Sequence, residues 1–432
     1  MAQFRIDHKV PAQRHKFVNI LLVYNLIALS TIPLFKDSFG RAIMLICIIY
    51  LYRHVVKIFN KETIIIIAIV FMLELYHAFY FSNYDTWVVR QVVTFFLLGT
   101  FTANYLKLEF IYIYIKIMYI ITIISFIFFL GLIINPALIH FIDESLPNIF
   151  KIQYNYYGSI GVQTNPIIYN FDHNFYKIRN NGPFWEPTVF ASLLLIGQVF
   201  NLLINRKLFN KYGIIFTLGI ISTFSTTVYL SYFIFLICYC FLSNKINIIF
   251  KGIIAVFIVF GSLFLFYNLP FLHEKISTEI TGVDENIEGN GDSRVAGATL
   301  DLIEISQNSL FIYFGKGSDK DSRIAGLDKK VQRNCGLTAL LIEWGIFFAL
   351  TYIFLLYYSF HQLCRVYKLN SLFAIPFTLC MLIVCFSEVF LDLPLFHTFI
   401  FFGFVVKRYY PQDMNISKKL FVKEIRYSIL AK

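Results

Sequence analysis

Two stretches of this 432-residue chain hold residue types suited to chemistry on a charged ligand. The first is RNNGPFWEPTVFA, from Arg179 to Ala191. Asn180, Asn181 and Gly182 tolerate tight or left-handed backbone, and Pro183 fixes its own φ and keeps Gly182 out of the helical region, so a stiff loop is expected. Phe184 and Trp185 have the rings that settle at the headgroup level of a membrane, and Pro187 suits the first turn of a helix. A cation, Arg179, and a carboxylate, Glu186, are thereby held at one surface. Glu186 can pair with Arg179, cap its own helix or accept a proton.

The second stretch, 268–334, holds eight Lys and Arg residues, among them Arg294, Arg323 and Arg333. Guanidinium forks bind phosphate bidentately, so an anionic ligand is one reason for the excess. The other is solvated charge balancing Asp284, Glu285, Glu288, Asp292, Asp319, Asp321 and Asp328. From Ser293 to Asn308 the recurrence of Val295, Ala298, Leu302 and Ile305 predicts an amphipathic helix able to lie on a membrane, with Arg294 in its first turn and Asp292 or Ser293 as its cap.

The elements that must position these groups are apolar. Hydrophobic residues make up 58% of the chain, aromatic residues 19% and charged residues only 15%, and the mean hydropathy is +0.67. This excludes an ordinary soluble domain and predicts an all-α polytopic integral membrane protein. Apolar runs near the roughly 20 residues that cross a bilayer occupy 17–35, 40–53, 63–81, 87–106, 111–135, 187–205, 246–267, 335–360 and 371–390. Residues 212–243 are too long for one upright span and are interrupted by Ser222, Thr223, Ser225, Thr226 and Thr227, which predicts two short helices. A twelfth helix is expected at 394–406, opened by Pro394 and closed by Lys407 and Arg408.

With about twelve spans, Lys and Arg concentrate in one set of short loops, the cytoplasmic set, and both termini are cytoplasmic. One span through 212–243 would instead export the basic tail. The expected organisation is N-terminal membrane helices in 1–135, a large extracytoplasmic loop in 136–186, membrane helices in 187–267, a second large loop in 268–334, membrane helices in 335–406 and a basic cytoplasmic tail in 407–432. The net charge of +11 is accounted for by loops facing anionic lipid and calls for no nucleic acid. The seven cysteines are too scattered for a disulfide framework, and no His, Cys and Asp spacing fits a metal, so neither metal nor cofactor is expected.

Within the first loop, YNYYGS (Tyr154 to Ser159) offers aromatic faces suited to sugars, or an ordinary interfacial tyrosine belt; His173 can act as a base or simply hydrogen-bond. Glu74, His77, Arg90, Lys116, Glu343, Glu388 and His397 fall within spans. Charge at mid-membrane costs ~2.5 to 3.5 kcal/mol for Arg, Lys or Asp, so those away from the ends ask for partners. A carrier for lipid-linked sugars could use such groups, but it would show internal symmetry and a polar midplane site, and no inverted repeat is visible.

The chain resembles the multi-pass bacterial polymerases of O-antigen and capsular polysaccharide, relatives of the O-antigen ligases. RNNGPFWEPTVFA, STFSTTVYL (Ser222 to Leu230), GDSR (Gly291 to Arg294), FGKG (Phe314 to Gly317) and RNCGLTALLIEWGIF (Arg333 to Phe347) carry the likeness, over most of 170–350. Two departures stand out: Val228 replaces the Gly expected in a Ser/Thr–Gly–Tyr form, and Arg333 replaces the ligase-like His before Asn334, which favours polymerase over ligase. The resemblance implies a GT-C-like fold in the bacterial cytoplasmic (inner) membrane. It implies a metal-independent glycosyltransferase that joins undecaprenyl-pyrophosphate-linked donor and acceptor glycans at the outer face, amid membrane lipids and with a chain-length regulator as a possible partner. It further implies that Arg179 and Arg294 contact the pyrophosphate, that Arg323, Arg333, Trp185 and Asn334 help bind substrate, and that Glu186 holds an arginine or takes the acceptor proton.

Overall fold

A computed structural model describes residues 16–36, 61–81, 85–156, 159–165, 167–172, 178–243, 294–319 and 335–410, with isolated positions between 42 and 46 and between 247 and 261. The expected spans 40–53 and 246–267 therefore lie largely outside the described residues, as does the tail from 411. Elsewhere the apolar runs are helices: Lys16–Thr31, Lys61–Tyr80, Thr86–Leu106, Glu109–Ile134, Pro187–Asn205, Lys211–Ser222, Thr226–Leu242, Gly336–Val366, Ala374–Ser387 and Pro394–Tyr409. Four of these, Lys61–Tyr80, Glu109–Ile134, Pro187–Asn205 and Gly336–Val366, are long and apolar enough to cross a membrane.

The Pro187–Asn205 helix is the axis of the bundle. Its apolar residues run all round it, so it packs on every side; every residue from Pro187 to Leu203 is buried. Pro187 starts it, and Arg206, in the left-handed region at φ 52, ends it by donating Nε and Nη2 to the Tyr367 carbonyl at 2.9 and 2.6 Å. Midway, Gln198 donates to the Gly213 carbonyl at 2.7 Å and to the Thr217 hydroxyl at 2.8 Å, which ties the neighbouring short helix to it. The Lys61–Tyr80 helix is the opposite case. Ile64, Ile65, Ile69, Phe71, Met72 and Phe79 are all exposed, an apolar surface suited to lipid.

Three features differ from the sequence reading. First, the fold is not purely helical. Residues Lys151–Tyr156, Ser159–Thr164 and Phe171–Asp172 form an antiparallel sheet in the order β1-β2-β3, with Lys151 opposite Thr164 and Thr164 opposite Phe171. Alternation of Ile152, Tyr154 and Tyr156 with Gln153 and Asn155 is the strand period, which tyrosine and asparagine mask in a hydropathy reading.

Second, the apolar stripe of the Arg294–Ser306 helix is divided between the protein interior and the surface. Ala298 and Ile305 are buried, but Leu302 is half exposed, while Asp301 and Glu304 are inside. Polar partners turn the buried face toward these carboxylates: Thr338 donates to Asp301 at 2.6 Å, and Glu304 forms an ion pair with the buried Lys316 of FGKG.

Third, the Gly336–Val366 helix is broken at Gly345, whose φ of 76 and ψ of 170 are not helical. The break leaves carbonyls without helical donors. FGKG supplies some: the backbone N–H of Lys316 bonds Ile342 O at 2.7 Å and that of Gly317 bonds Glu343 O at 3.0 Å. The two backbones touch so closely that a Cβ on Gly345 would lie 2.1 Å from Tyr313 O, and one on Gly315 would lie 2.3 Å from Glu343 O. The same segment reaches the lipid-suited helix, where Phe314 O accepts from His77 at 2.8 Å and Ser318 donates to Glu74 at 2.9 Å.

Gly345→Ala is expected to lower the melting temperature of the detergent-purified protein, because the strained backbone alone costs about 1–3 kcal/mol before the clash is relieved. Gly261→Ala, where no atom of the described residues lies within 4 Å of the new methyl group, should cause no such fall in the same fluorescence-monitored melt.

Candidate functional site

The site grows from the 179–186 loop. Asn180, fully buried, donates its amide to the Ser125 and Ser222 hydroxyls at 3.0 Å each and accepts the Gly182 N–H at 3.1 Å. Its own N–H bonds Ser222 O at 3.1 Å. One side chain thereby joins the loop to the Glu109–Ile134 helix and to the end of the Lys211–Ser222 helix. Gly182 has the left-handed φ of 53 that the sequence calls for, and a Cβ there would press on the Phe190 ring at 3.3 Å.

From the other side the small sheet and its flanks support the loop. Gln163 donates to Trp185 O at 3.0 Å, Asn165 to Pro183 O at 2.8 Å, and the Asn170 N–H to Gly182 O at 2.7 Å. The Trp185 N–H reaches Thr31 O at 3.4 Å. Phe184 is not the interfacial anchor that its type suggests: it is fully buried, with its ring 5.4 Å from that of Phe190. Trp185 is half-buried.

On this frame Arg179 is aimed at the turn between the two short helices. Its Nε donates to Thr223 O at 2.9 Å and its Nη2 to Phe224 O at 3.0 Å. The Ser/Thr cluster that breaks the 212–243 run is thus the seat of the arginine. Phe224 takes the left-handed φ of 51 to present its carbonyl. Among the described residues Nη1 has no acceptor. Burial pulls the Arg179 guanidinium below its ordinary value; the Glu186 carboxylate acts against that fall, as a phenolate at Tyr229 would, and the like charge of Arg294 adds to it. Glu186 and Arg294 thus act on Arg179 through space, with opposite signs.

Glu186 occupies the N-cap position of the Pro187–Asn205 helix in extended conformation, yet its side chain makes no capping hydrogen bond. It acts on Arg179 as a nearby charge, without a direct ion pair. Arg294 opens its helix, donates Nε to Ser387 O at 3.0 Å and has Nη2 3.7 Å from Glu388 Oε1. Tyr229 and Glu388 were not singled out for this site by sequence. For Glu388, the signal was a carboxylate at the end of an apolar run, in need of a cation. Gly336, in the RNCG piece of the resemblance, packs against the same turn, since a Cβ on it would be 2.3 Å from Glu388 O.

The structure thus joins parts of four stretches that carry the resemblance: Arg179 and Glu186, the Thr223–Phe224 turn, Arg294, and the start of the Gly336–Val366 helix. Arg323, Arg333 and Asn334 lie outside the described residues, as do His173 and Lys177. FGKG is drawn instead to the broken helix, so Lys316 is a structural cation here.

Asn180→Leu strips donors from two buried hydroxyls and an acceptor from the Gly182 N–H. The expected loss is about 1–3 kcal/mol for each group left unsatisfied, and a melt should show a larger fall in midpoint than for Ser222→Ala. No protein-family model matches the chain, and no curated protein sequence matches it.

Proposed function

We propose that the chain is a polysaccharide polymerase that joins undecaprenyl-pyrophosphate-linked repeat units into O-antigen or capsule chains. It works at the outer face of the bacterial cytoplasmic membrane, with about twelve spans, both termini inside and the two long loops outside. The observation that carries this reading is that two half-buried arginines from separate stretches are each held by backbone carbonyls of a turn, Arg179 on Thr223 and Phe224 and Arg294 on Ser387, with Glu388 beside Arg294 and with Arg294 acting on Arg179 as a like charge. Like charges gather at a cost, and a lipid pyrophosphate is an anion that repays it.

In the proposed reaction a hydroxyl of the acceptor glycan attacks the anomeric carbon of the donor. A new glycosidic bond forms, the bond from carbon to pyrophosphate oxygen breaks, and the electron pair leaves with the pyrophosphate. Arg179 and Arg294 stabilise that developing charge in a partly dehydrated site. Glu186, whose carboxylate is free of capping duty, takes the hydroxyl proton or tunes Arg179. Trp185 offers a ring at the loop surface, and Arg323, Arg333 and Asn334 are further substrate contacts proposed from sequence.

Deleting the gene in a strain that builds its surface glycan with this protein is expected to leave carriers or lipid A core with single repeat units, seen as a collapsed ladder on a glycan gel. Complete loss of attached glycan would instead indicate a ligase, and accumulation of lipid-linked units on the cytoplasmic side a carrier. Arg179→Ala and Arg294→Ala should each abolish chain extension while the protein stays in the membrane fraction; normal ladders from both would end this assignment.

A further inference from the structure

Glu388 stands where a carboxylate is unwelcome. It follows the last turn of the Ala374–Ser387 helix, and the negative end of a helix dipole disfavours an anion there. Arg294 removes the conflict. Its Nε is bonded to Ser387 O at 3.0 Å and its Nη2 lies 3.7 Å from Glu388 Oε1, so two edges of one planar fork are directed by two consecutive residues. The turn that does this is itself held rigid. Gly336 leaves no room beneath it, with 2.3 Å from a Cβ to Glu388 O and 2.6 Å to Cys385 O. The side chains of Arg294 and Glu388 are only 20% and 11% exposed, which keeps solvent screening of the pair low.

A second constraint comes from Arg179, on which Arg294 acts as a like charge and Glu186 as an opposite one. Each arginine thus has a carboxylate acting on it, Glu186 on Arg179 and Glu388 on Arg294. Glu186 is a through-space neighbour, whereas Glu388 is a direct partner. We infer that Glu388 is the positioning residue of Arg294: it fixes the direction of the guanidinium and serves as the counter-anion that an incoming diphosphate displaces. This rests on the polymerase reading in so far as the diphosphate is that of the lipid-linked donor.

The two roles act on different measurements. Removing the charge of Glu388 removes a competitor for Arg294, so a diphosphate should bind more tightly, yet the arginine is no longer aimed. The full-length protein in detergent is titrated with inorganic pyrophosphate, and chain extension is followed on glycan gels. Glu388→Gln is expected to bind pyrophosphate about two- to fivefold more tightly, the range of a partly exposed ion pair, while extension falls by about ten- to a hundredfold. Glu388→Asp should recover part of the extension. In an Arg294→Ala background, Glu388→Gln should change pyrophosphate binding no further.

Normal extension by Glu388→Gln would overturn the inference, as would a loss of pyrophosphate binding equal to that of Arg294→Ala, which is what a merely structural residue would give. The polymerase reading fails separately, through normal ladders from Arg179→Ala and Arg294→Ala. In that event cancellation of the Glu388 effect by Arg294→Ala still decides whether the two residues act as a pair.

Discussion

A primary amide with no exposure to solvent has to find partners inside the protein, and Asn180 finds them on two helices and within its own loop. In an interior this apolar the bond is worth most for what its absence would cost. Because Asn180 is fixed, Arg179 beside it meets the Thr223 and Phe224 carbonyls, Gly182 turns the chain, and Pro187 enters the most buried helix of the bundle. A loop that would otherwise ride on the surface is made an extension of the helices. The small sheet reinforces it through Gln163, Asn165 and the Asn170 backbone.

Polarity elsewhere follows the same logic, inverted from that of a soluble protein. Where apolar side chains are stable facing outward, helices turn their polar faces toward one another. Asp301 and Glu304 face inward to Thr338 and Lys316, Glu74 receives the Ser318 hydroxyl, and Leu302 and Ile303 are left outside. These carboxylates differ in kind from those beside Arg179 and Arg294. The ones around FGKG complete the architecture; Glu186 and Glu388 lie with the arginines of the two loops.

What could be read from sequence alone follows from which signals are local. Length and hydropathy mark the helices, and the Ser/Thr interruption at 222–227 correctly divides one long run into Lys211–Ser222 and Thr226–Leu242. The stiffness of RNNGP was legible because glycine and proline constrain their own backbone. Partners distant in sequence were not legible. Nothing in 151–172 announces a sheet to a hydropathy scale, since Tyr and Asn blur its alternation. The inward face of the Arg294–Ser306 helix is not legible because spacing counts apolar residues, whereas Thr338 and Lys316, which hold Asp301 and Glu304 inside, come from other elements. Glu388 was visible as a charge that needed a cation, but only the fold identifies that cation as Arg294.

The break at Gly345 changes what the second loop is. Two carbonyls of an apolar helix, Ile342 and Glu343, are completed by the backbone of residues 316 and 317. A helix ordinarily closes its own ladder, and any segment between helices can then be exchanged freely. Here the ladder is closed by a visitor from the preceding loop, so loop and helix are one folding unit. A chimaera that imports a foreign second loop, however well it suits a new ligand, inherits an unfinished helix unless it also brings a tight Gly-flanked turn to the same two carbonyls. The freedom to vary this loop begins outside residues 313–317 and does not include them.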